Sequence, residues 1–187
     1  MVIELDIAQG AAALRRGGVI AYPTESVWGL GCDPFDAEAV QRLLQVKQRP
    51  ADKGLILLAA SYEQLAPLLD TDALPRERWL AVLQTWPGPH TWIMPCLPQM
   101  PAWLRGAHEG LAVRVSAHPV AAALAGQFGG PIVSTSANRA GAAPPRTRQA
   151  LDATLIGELD GVVDGETGGL DAPSRIRDAL TGDLLRG

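Results

Sequence analysis

The sequence predicts an α/β protein built on an open, mixed sheet. Three observations carry that prediction. Apolar runs of strand length alternate along the chain with amphipathic segments of helical period. Several connections, above all near the C-terminus, are too short for the crossover a parallel strand pair needs, so part of the sheet is antiparallel. No internal repeat and no linker interrupts the 187 residues, a length that one domain with a substantial core accommodates, so residues 1–187 are read as one unit.

Taken in order, Asp6 has the side chain to cap a helix that runs through an Ala-rich segment to Arg16, and Gly17 and Gly18 stop it. Val19 to Tyr22 is a short apolar run between glycines and Pro23, the signature of a buried strand. Thr24, Glu25 and Ser26 place three polar groups at its exit. Asp36 caps a second helix in which Val40, Leu43 and Leu44 share a face. Leu55 to Ala60 reads as a buried strand. Ser61 and Gln64 have capping-box spacing and open a helix toward Leu69. A loop at Asp70 to Pro75 leads to a helix over Arg76 to Thr85.

Trp86 to Thr91 sets two prolines around a glycine, which excludes a helix and feeds a strand at Trp92 to Cys96. The Pro-rich stretch up to Gly110 reads as an irregular surface loop. Leu111 to Val115 alternates as a strand and carries Arg114. His118-Pro119 starts an Ala-rich helix that stops at Gly129-Gly130. Pro131 to Ser134 is a strand running into Thr135, Ser136, Ala137 and Asn138. A helix around Thr147 to Leu155, a strand at Val162-Val163, a Gly-rich loop over Gly165 to Gly169 and two short strands close the chain.

Composition excludes several function classes. Hydrophobic content of 47% and charged content of 19% belong to an ordinary soluble globule. No apolar run approaches the roughly 20 residues that span a bilayer. The first ten residues carry acids where a signal peptide carries bases, so no export signal is expected and a cytoplasmic location is. Cys32 and Cys96 are too few for a disulfide framework. Neither they nor His90, His108 and His118 have metal-ligand spacing, so no protein metal site is expected. A net charge of −4 argues against a protein whose main task is coating nucleic acid. The charge is uneven, however. Residues 151–174 hold six acids and no base, while Arg139, Arg146 and Arg148 precede them and Arg175 and Arg177 follow, leaving a local basic face open.

No P-loop and no GxSxG elbow occurs, and Gly165, Gly168 and Gly169 do not lead into a helix. Nucleotide binding would therefore draw on polar groups from separate strand ends, where ligands bind in α/β sheets. Lys47 and Arg49 follow the second helix, with Lys53 close behind. Two residues apart on a non-helical backbone, Lys47 and Arg49 are expected to project to one side. Fixed cations opposite a hydroxyl-rich strand exit suit an anionic small molecule. Alone, such a pair would complement the helix dipole and face water, and Pro23 to Ser26 would be a turn. Ser134, Thr135, Ser136 and Asn138 form a second polar exit; the alternative is a turn bonded to itself. Thr91 begins a strand, where threonine is favoured anyway. Arg114, set among apolar residues, either faces solvent or binds an anion. Ser174 alone carries no signal.

The segments PTESVWGLG, KQRPADKG, WPGPHT, LAVRV, STSAN and PSRIRDALTGDLLRG, in this order, resemble the TsaC/YrdC family over nearly the whole chain. The likeness is to the short form, without the additional C-terminal domain of longer relatives. It implies a twisted open sheet flanked by helices, with a large concave ligand face. It also implies a nucleotidyltransferase that makes threonylcarbamoyl-AMP and pyrophosphate from L-threonine, bicarbonate or CO2, and ATP, with Mg2+ carried by the ATP. The product would pass to a tRNA-modifying transferase complex, for modification next to the anticodon.

By the same resemblance, Lys47 and Arg49 are catalytic. Lys53, Thr91, Ser134, Ser136, Asn138 and Ser174 line the ATP and threonylcarbamoyl site, while Thr24 and Arg114 serve threonine. Two departures stand out. The apolar LILLA replaces a segment in which longer relatives carry a His, and Ser174-Arg175 stands where many members have Ser-Thr, leaving Arg175 to meet a phosphate or face solvent. The competing reading is a double-stranded RNA-binding module or ribosome maturation factor, with RNA or tRNA as partner. A generic hydrolase lacks its nucleophile and base.

Overall fold

The computed structural model describes residues 2–186. Strand β1 (Glu4–Leu5) precedes helix α1 (Ile7–Arg15). Asp6 caps α1 reciprocally: its carboxylate accepts from the Gln9 amide at 2.8 Å, and the Gln9 side chain accepts from the Asp6 amide at 2.9 Å. Strand β2 (Ile20–Pro23) turns directly into an antiparallel partner, β3 (Trp28–Gly31). The sequence offers no strand signal at β3, because two of its four residues are glycine. The pairing needs that bareness: a Cβ on Gly31 would lie 2.7 Å from the Tyr22 ring and from the Val133 carbonyl.

Helix α2 (Ala37–Lys47) is capped by Asp36 and buries Val40, Leu43 and Val46. It is followed by β4 (Ile56–Ala59), α3 (Tyr62–Leu65) and α4 (Arg76–Leu83). The helix expected over 61–69 is only one α-turn followed by a 3-10 turn at Ala66–Leu68, and Ser61 makes no side-chain cap. Gln64 instead accepts from the Ala60 amide at 2.8 Å and donates to the Ala125 carbonyl at 3.1 Å. Gln64 thus ties the preceding strand end to a remote carbonyl instead of closing the box on Ser61. Strand β5 (His90–Met94), α5 (Ala102–Arg105), β6 (Leu111–Val115), α6 (Pro119–Phe128) and β7 (Ile132–Ser136) come next. The stretch read as a loop up to Gly110 thus contains α5. The helix expected at 147–155 splits into a 3-10 turn at Arg148–Ala150 and α7 (Ala153–Ile156), because Asp152 caps the latter and separates the two. Strands β8 (Gly161–Val163), β9 (Arg175–Asp178) and β10 (Leu184–Arg186) complete the chain.

All ten strands join one sheet in the order β1-β8-β2-β3-β7-β4-β6-β5-β9-β10. The sheet is mixed: β4 runs parallel to β6, and β5 to β9, while β7 is antiparallel to both β3 and β4. Strand alternation sorts its faces. Leu57, Met94, Val113 and Val133 point into a core shared with Val40 and Leu43 of α2. Ile20, Leu58, Ile132 and Val163 point the other way, against Leu14 of α1 and Leu124 of α6. On that second face the same alternation carries Ile56, Ile93, Ala112, Ser134 and Ile176 beyond the two helices, onto the lining of two cavities. Among the described residues, no helix is long and apolar enough to cross a membrane.

Candidate active site

One cavity of about 230 Å3 is walled by Ser26 and Val27 after β2, by Arg49, by Gly54–Ile56, by Ser134–Ser136 of β7, and by Pro173, Ser174 and Arg186. A second, of about 180 Å3, shares Arg49, Gly54, Leu55, Ile56 and Arg186 with the first, so the two adjoin. It adds Lys53, Arg105 and His108 above an apolar floor that includes Ile93, Ala112 and Ile176. Among the described residues lining the two, Arg49, Lys53, Arg105 and Arg186 are cationic and none is a carboxylate. On a chain of net charge −4, that local field selects anions.

The two central cations do not point the same way, contrary to the alternation argument. Lys47 is the last residue of α2, and Gln48 at φ 53° reverses the chain before Arg49. Lys47 is 3% exposed; its ammonium donates to the Asn138 carbonyl at 2.8 Å and to the Ser136 carbonyl. It lies beneath the β7 exit rather than on the cavity wall. Burial, with Arg49 nearby, pushes its pKa down to about 8. Arg49 does line both cavities. One of its terminal nitrogens donates to the Lys53 and Gly54 carbonyls at 3.3 and 3.1 Å, and its buried Nε has no protein partner among the described residues. Burial also lowers its pKa, with Asp52 pulling the other way.

Ser134, Ser136 and Ser174 reach the cavity as expected. Thr91 stands one bond behind, fully buried, with its hydroxyl donating to Ser174 Oγ at 3.0 Å. Asn138 shapes the following loop: its amide donates to the Arg139 and Ala142 carbonyls at 2.9 and 2.7 Å, and its buried Oδ1 has no partner among the described residues. Thr24 closes the turn after β2, its hydroxyl donating to the Val27 carbonyl at 2.7 Å. Neither Asn138 nor Thr24 lines either cavity. Lys53 belongs to the second cavity. It is held there by a backbone clasp, in which Gly106 at φ +63° packs so closely that a Cβ would lie 2.3 Å from the Asp52 carbonyl oxygen and the Gly54 nitrogen. Arg114 is neither solvent-facing nor free: it is 6% exposed and ion-paired to Glu25 at 2.9 Å.

Sequence reasoning missed Arg186, and it read Glu25 and Ser26 only as polar groups at the exit of the Val19 to Tyr22 run, without a role. Arg186 donates to the Ser174 carbonyl at 3.3 Å, and burial together with Arg49 and Arg114 lowers its pKa. Only the β9-β10 pairing brings this residue to the site, so no local signal marked it. Arg175 pairs with His90, in alternation with Ile176 opposite Thr91, and so lies on the sheet face away from the cavity. Ile56 of LILLA gives both cavities an apolar wall. The arginines that left a basic face open are largely matched by acids: Arg139 by Glu158, Arg148 by Glu4, and Arg146 by Asp171 at 3.9 Å.

An open α/β sheet with cations and hydroxyls converging at its strand ends defines an anionic-ligand or nucleotide-binding protein. The profile of the Sua5/YciO/YrdC family, described as "Telomere recombination", matches residues 12–186, and the chain belongs to that family. It is 57% identical over 186 residues to a protein of Xanthomonas axonopodis pv. citri named threonylcarbamoyl-AMP synthase, covering 100% of both chains. A protein of the same name from Xanthomonas campestris pv. campestris is 58% identical over 181 residues, 97% of each chain. Among solved structures, P. abyssi Sua5 in complex with L-threonine superposes with a TM-score of 0.86 at 32% identity, over 95% of this chain and 54% of that one. E. coli YciO, at 23% identity and a TM-score of 0.79 over 99% of this chain and 95% of that one, shares the fold.

Proposed function

We propose that the protein is an L-threonylcarbamoyladenylate synthase, a nucleotidyltransferase joining L-threonine, bicarbonate or CO2, and ATP into threonylcarbamoyl-AMP and pyrophosphate. The observation that carries the reading is a carboxylate-free cavity in which Arg49 faces the Ser134–Ser136 strand end, with the Lys47 ammonium buried beneath that end. Full-length relatives of that name support it.

The chemistry follows from the charges. The neutral threonine amine gives a carbamate with bicarbonate and loss of water, or with CO2 and loss of a proton to solvent; the carbamate oxygen then attacks the α-phosphorus of ATP while pyrophosphate leaves. The carbamate, ATP and the leaving pyrophosphate are all anionic, so repulsion is the main obstacle. Fixed positive charge at Arg49, Arg186 and Lys47 offsets it in a site where little must reorganise. Ser134, Ser136 and Ser174 orient the reactants. Mg2+ would arrive on the triphosphate and supply further charge neutralisation.

On this reading the unstable adenylate passes to a separate transferase complex that modifies tRNA, and the protein works in the cytoplasm. Its two cysteines are unpaired, in keeping with a reducing compartment. Ion pairs at Arg139, Arg146 and Arg148 weaken the RNA-binding alternative, since the charge of those three arginines is matched locally.

Pyrophosphate release from ATP, with Mg2+ and bicarbonate, is the test. Release that depends on both L-threonine and bicarbonate is expected. Folded protein with no such release refutes the proposal.

A further inference from the structure

We propose that Glu25 is a positioning residue for this synthesis: by holding Arg114 and the turn after β2, it shapes the wall of Ser26, Val27 and Ser134, beside the Thr24 and Arg114 expected to serve threonine, and leaves the first cavity's free positive charge to Arg49 and Arg186. The proposal rests on the function proposed above. Glu25 was given no role among the site residues expected from the sequence, and it lines neither cavity.

Glu25 is 7% exposed, and burying a carboxylate is costly unless it is paired and hydrogen-bonded. Both of its oxygens are used. One accepts from Arg114 Nη1 at 2.9 Å. The other accepts from Ser116 Oγ at 2.7 Å and from the Ala117 amide at 3.2 Å. Burial pushes the carboxyl pKa up, but Arg114, Ser116 and the backbone amides outweigh it and keep the group ionised.

These partners lead to the cavity along three routes. Arg114 Nη2 lies 3.5 Å from the hydroxyl of Ser134, a wall residue. The next residues, Ser26 and Val27, are wall residues themselves. Through the backbone, the Glu25 carbonyl accepts from the Leu170 amide and the Thr24 carbonyl from the Gly168 amide, both at 3.0 Å, which anchors the loop that runs on to Ser174. The routes end on Ser26, Ser134 and Ser174, and they touch the facing wall only at its seams, where the Ser174 carbonyl accepts from Arg186 and Ser134 lies opposite Ile56 in the sheet.

The charge has a second consequence. Without its carboxylate, Arg114 would be an uncompensated cation directly behind Ser134, able to draw an anionic group onto the wrong wall. Paired, it leaves Arg49 and Arg186 as the cations of the first cavity. A merely structural ion pair would show a different pattern, since such pairs are commonly replaceable by apolar residues at no loss of stability.

The experiment is Glu25→Gln, beside Glu25→Gln combined with Arg114→Met. Initial rates of pyrophosphate release are measured with threonine and ATP varied separately, on material checked by circular dichroism. The proposal expects Glu25→Gln to raise the threonine KM about tenfold, as loss of one oriented polar contact would, with the ATP KM within about twofold. The uncharged double variant should recover melting temperature without recovering the threonine KM. Unchanged KM values with only a lower melting temperature overturn the proposal, as does a shift confined to ATP. If Glu25→Gln alone does not fold, the double variant carries the same KM test. Titration calorimetry with L-threonine separates this proposal from the functional one: wild-type binding weakened in the variant supports it even without turnover, and equal affinities or no threonine binding overturn it.

Discussion

Replacing Lys47 by methionine keeps most of a buried side chain and removes its charge. Lys47 is 3% exposed, and burial holds its pKa near 8 where a free lysine titrates at 10.5. That difference corresponds to roughly 3 kcal/mol between the charged forms in the folded and unfolded chain. Between those two values the unfolded chain binds more protons than the folded one. Stability therefore rises with pH through this window, and the methionine variant loses that rise.

Activity moves the opposite way. If the ammonium stabilises charge moving onto pyrophosphate, kcat at saturating substrates falls about tenfold per pH unit above the folded pKa. Burial, with Arg49 nearby, sets the midpoint of that fall near pH 8. The threonine amine gains nucleophilicity over the same range, so it cannot produce such a fall. Lys47→Met should be slower by about 10²-fold or more at pH 7 and show no alkaline limb. Its melting temperature should also drop, because two carbonyls lose their donor at ~1–3 kcal/mol each. Pyrophosphate release from pH 6.5 to 9.5, with thermal melts at the same points, reads all of this. A flat wild-type profile, or the same limb in Lys47→Met, would refute the reasoning.

Three further outcomes are expected. Arg186→Ala should lower kcat/KM for ATP by about 10- to 100-fold, while Arg175→Ala, on the other face of the sheet, should stay within about twofold; the pyrophosphate assay separates them. Gly106→Ala should cost ~3 kcal/mol or more, since its φ of +63° is strained for alanine and its Cβ would sit 2.3 Å from backbone atoms, lowering the melting midpoint by roughly 6–12 °C in calorimetry. Double-stranded RNA should bind weakly and lose affinity steeply with salt, without altering threonine-dependent turnover; tight, salt-resistant binding in a filter assay would contradict this.

Much of this architecture is local and was therefore readable in the sequence. Asp6, Asp36 and the His118-Pro119 pair start helices through contacts within four residues. The alternation of Leu111 to Val115 is a property of that strand alone. Such signals determine the fold class, and the order of polar clusters along the chain determines which residues are candidates for the site. Where those candidates point is decided by pairing between remote segments. Arg114 finds Glu25 across 89 positions, Thr91 finds Ser174 across 83, and Arg186 arrives only because β10 folds back on β9. A single left-handed residue, Gln48, parts Lys47 from Arg49, sending one beneath the β7 exit and the other onto the cavity wall. Sequence periodicity records which residues share a face of one element. Buried charges and hydroxyls take their roles from partners on other strands, and only the assembled sheet brings those partners within hydrogen-bonding distance.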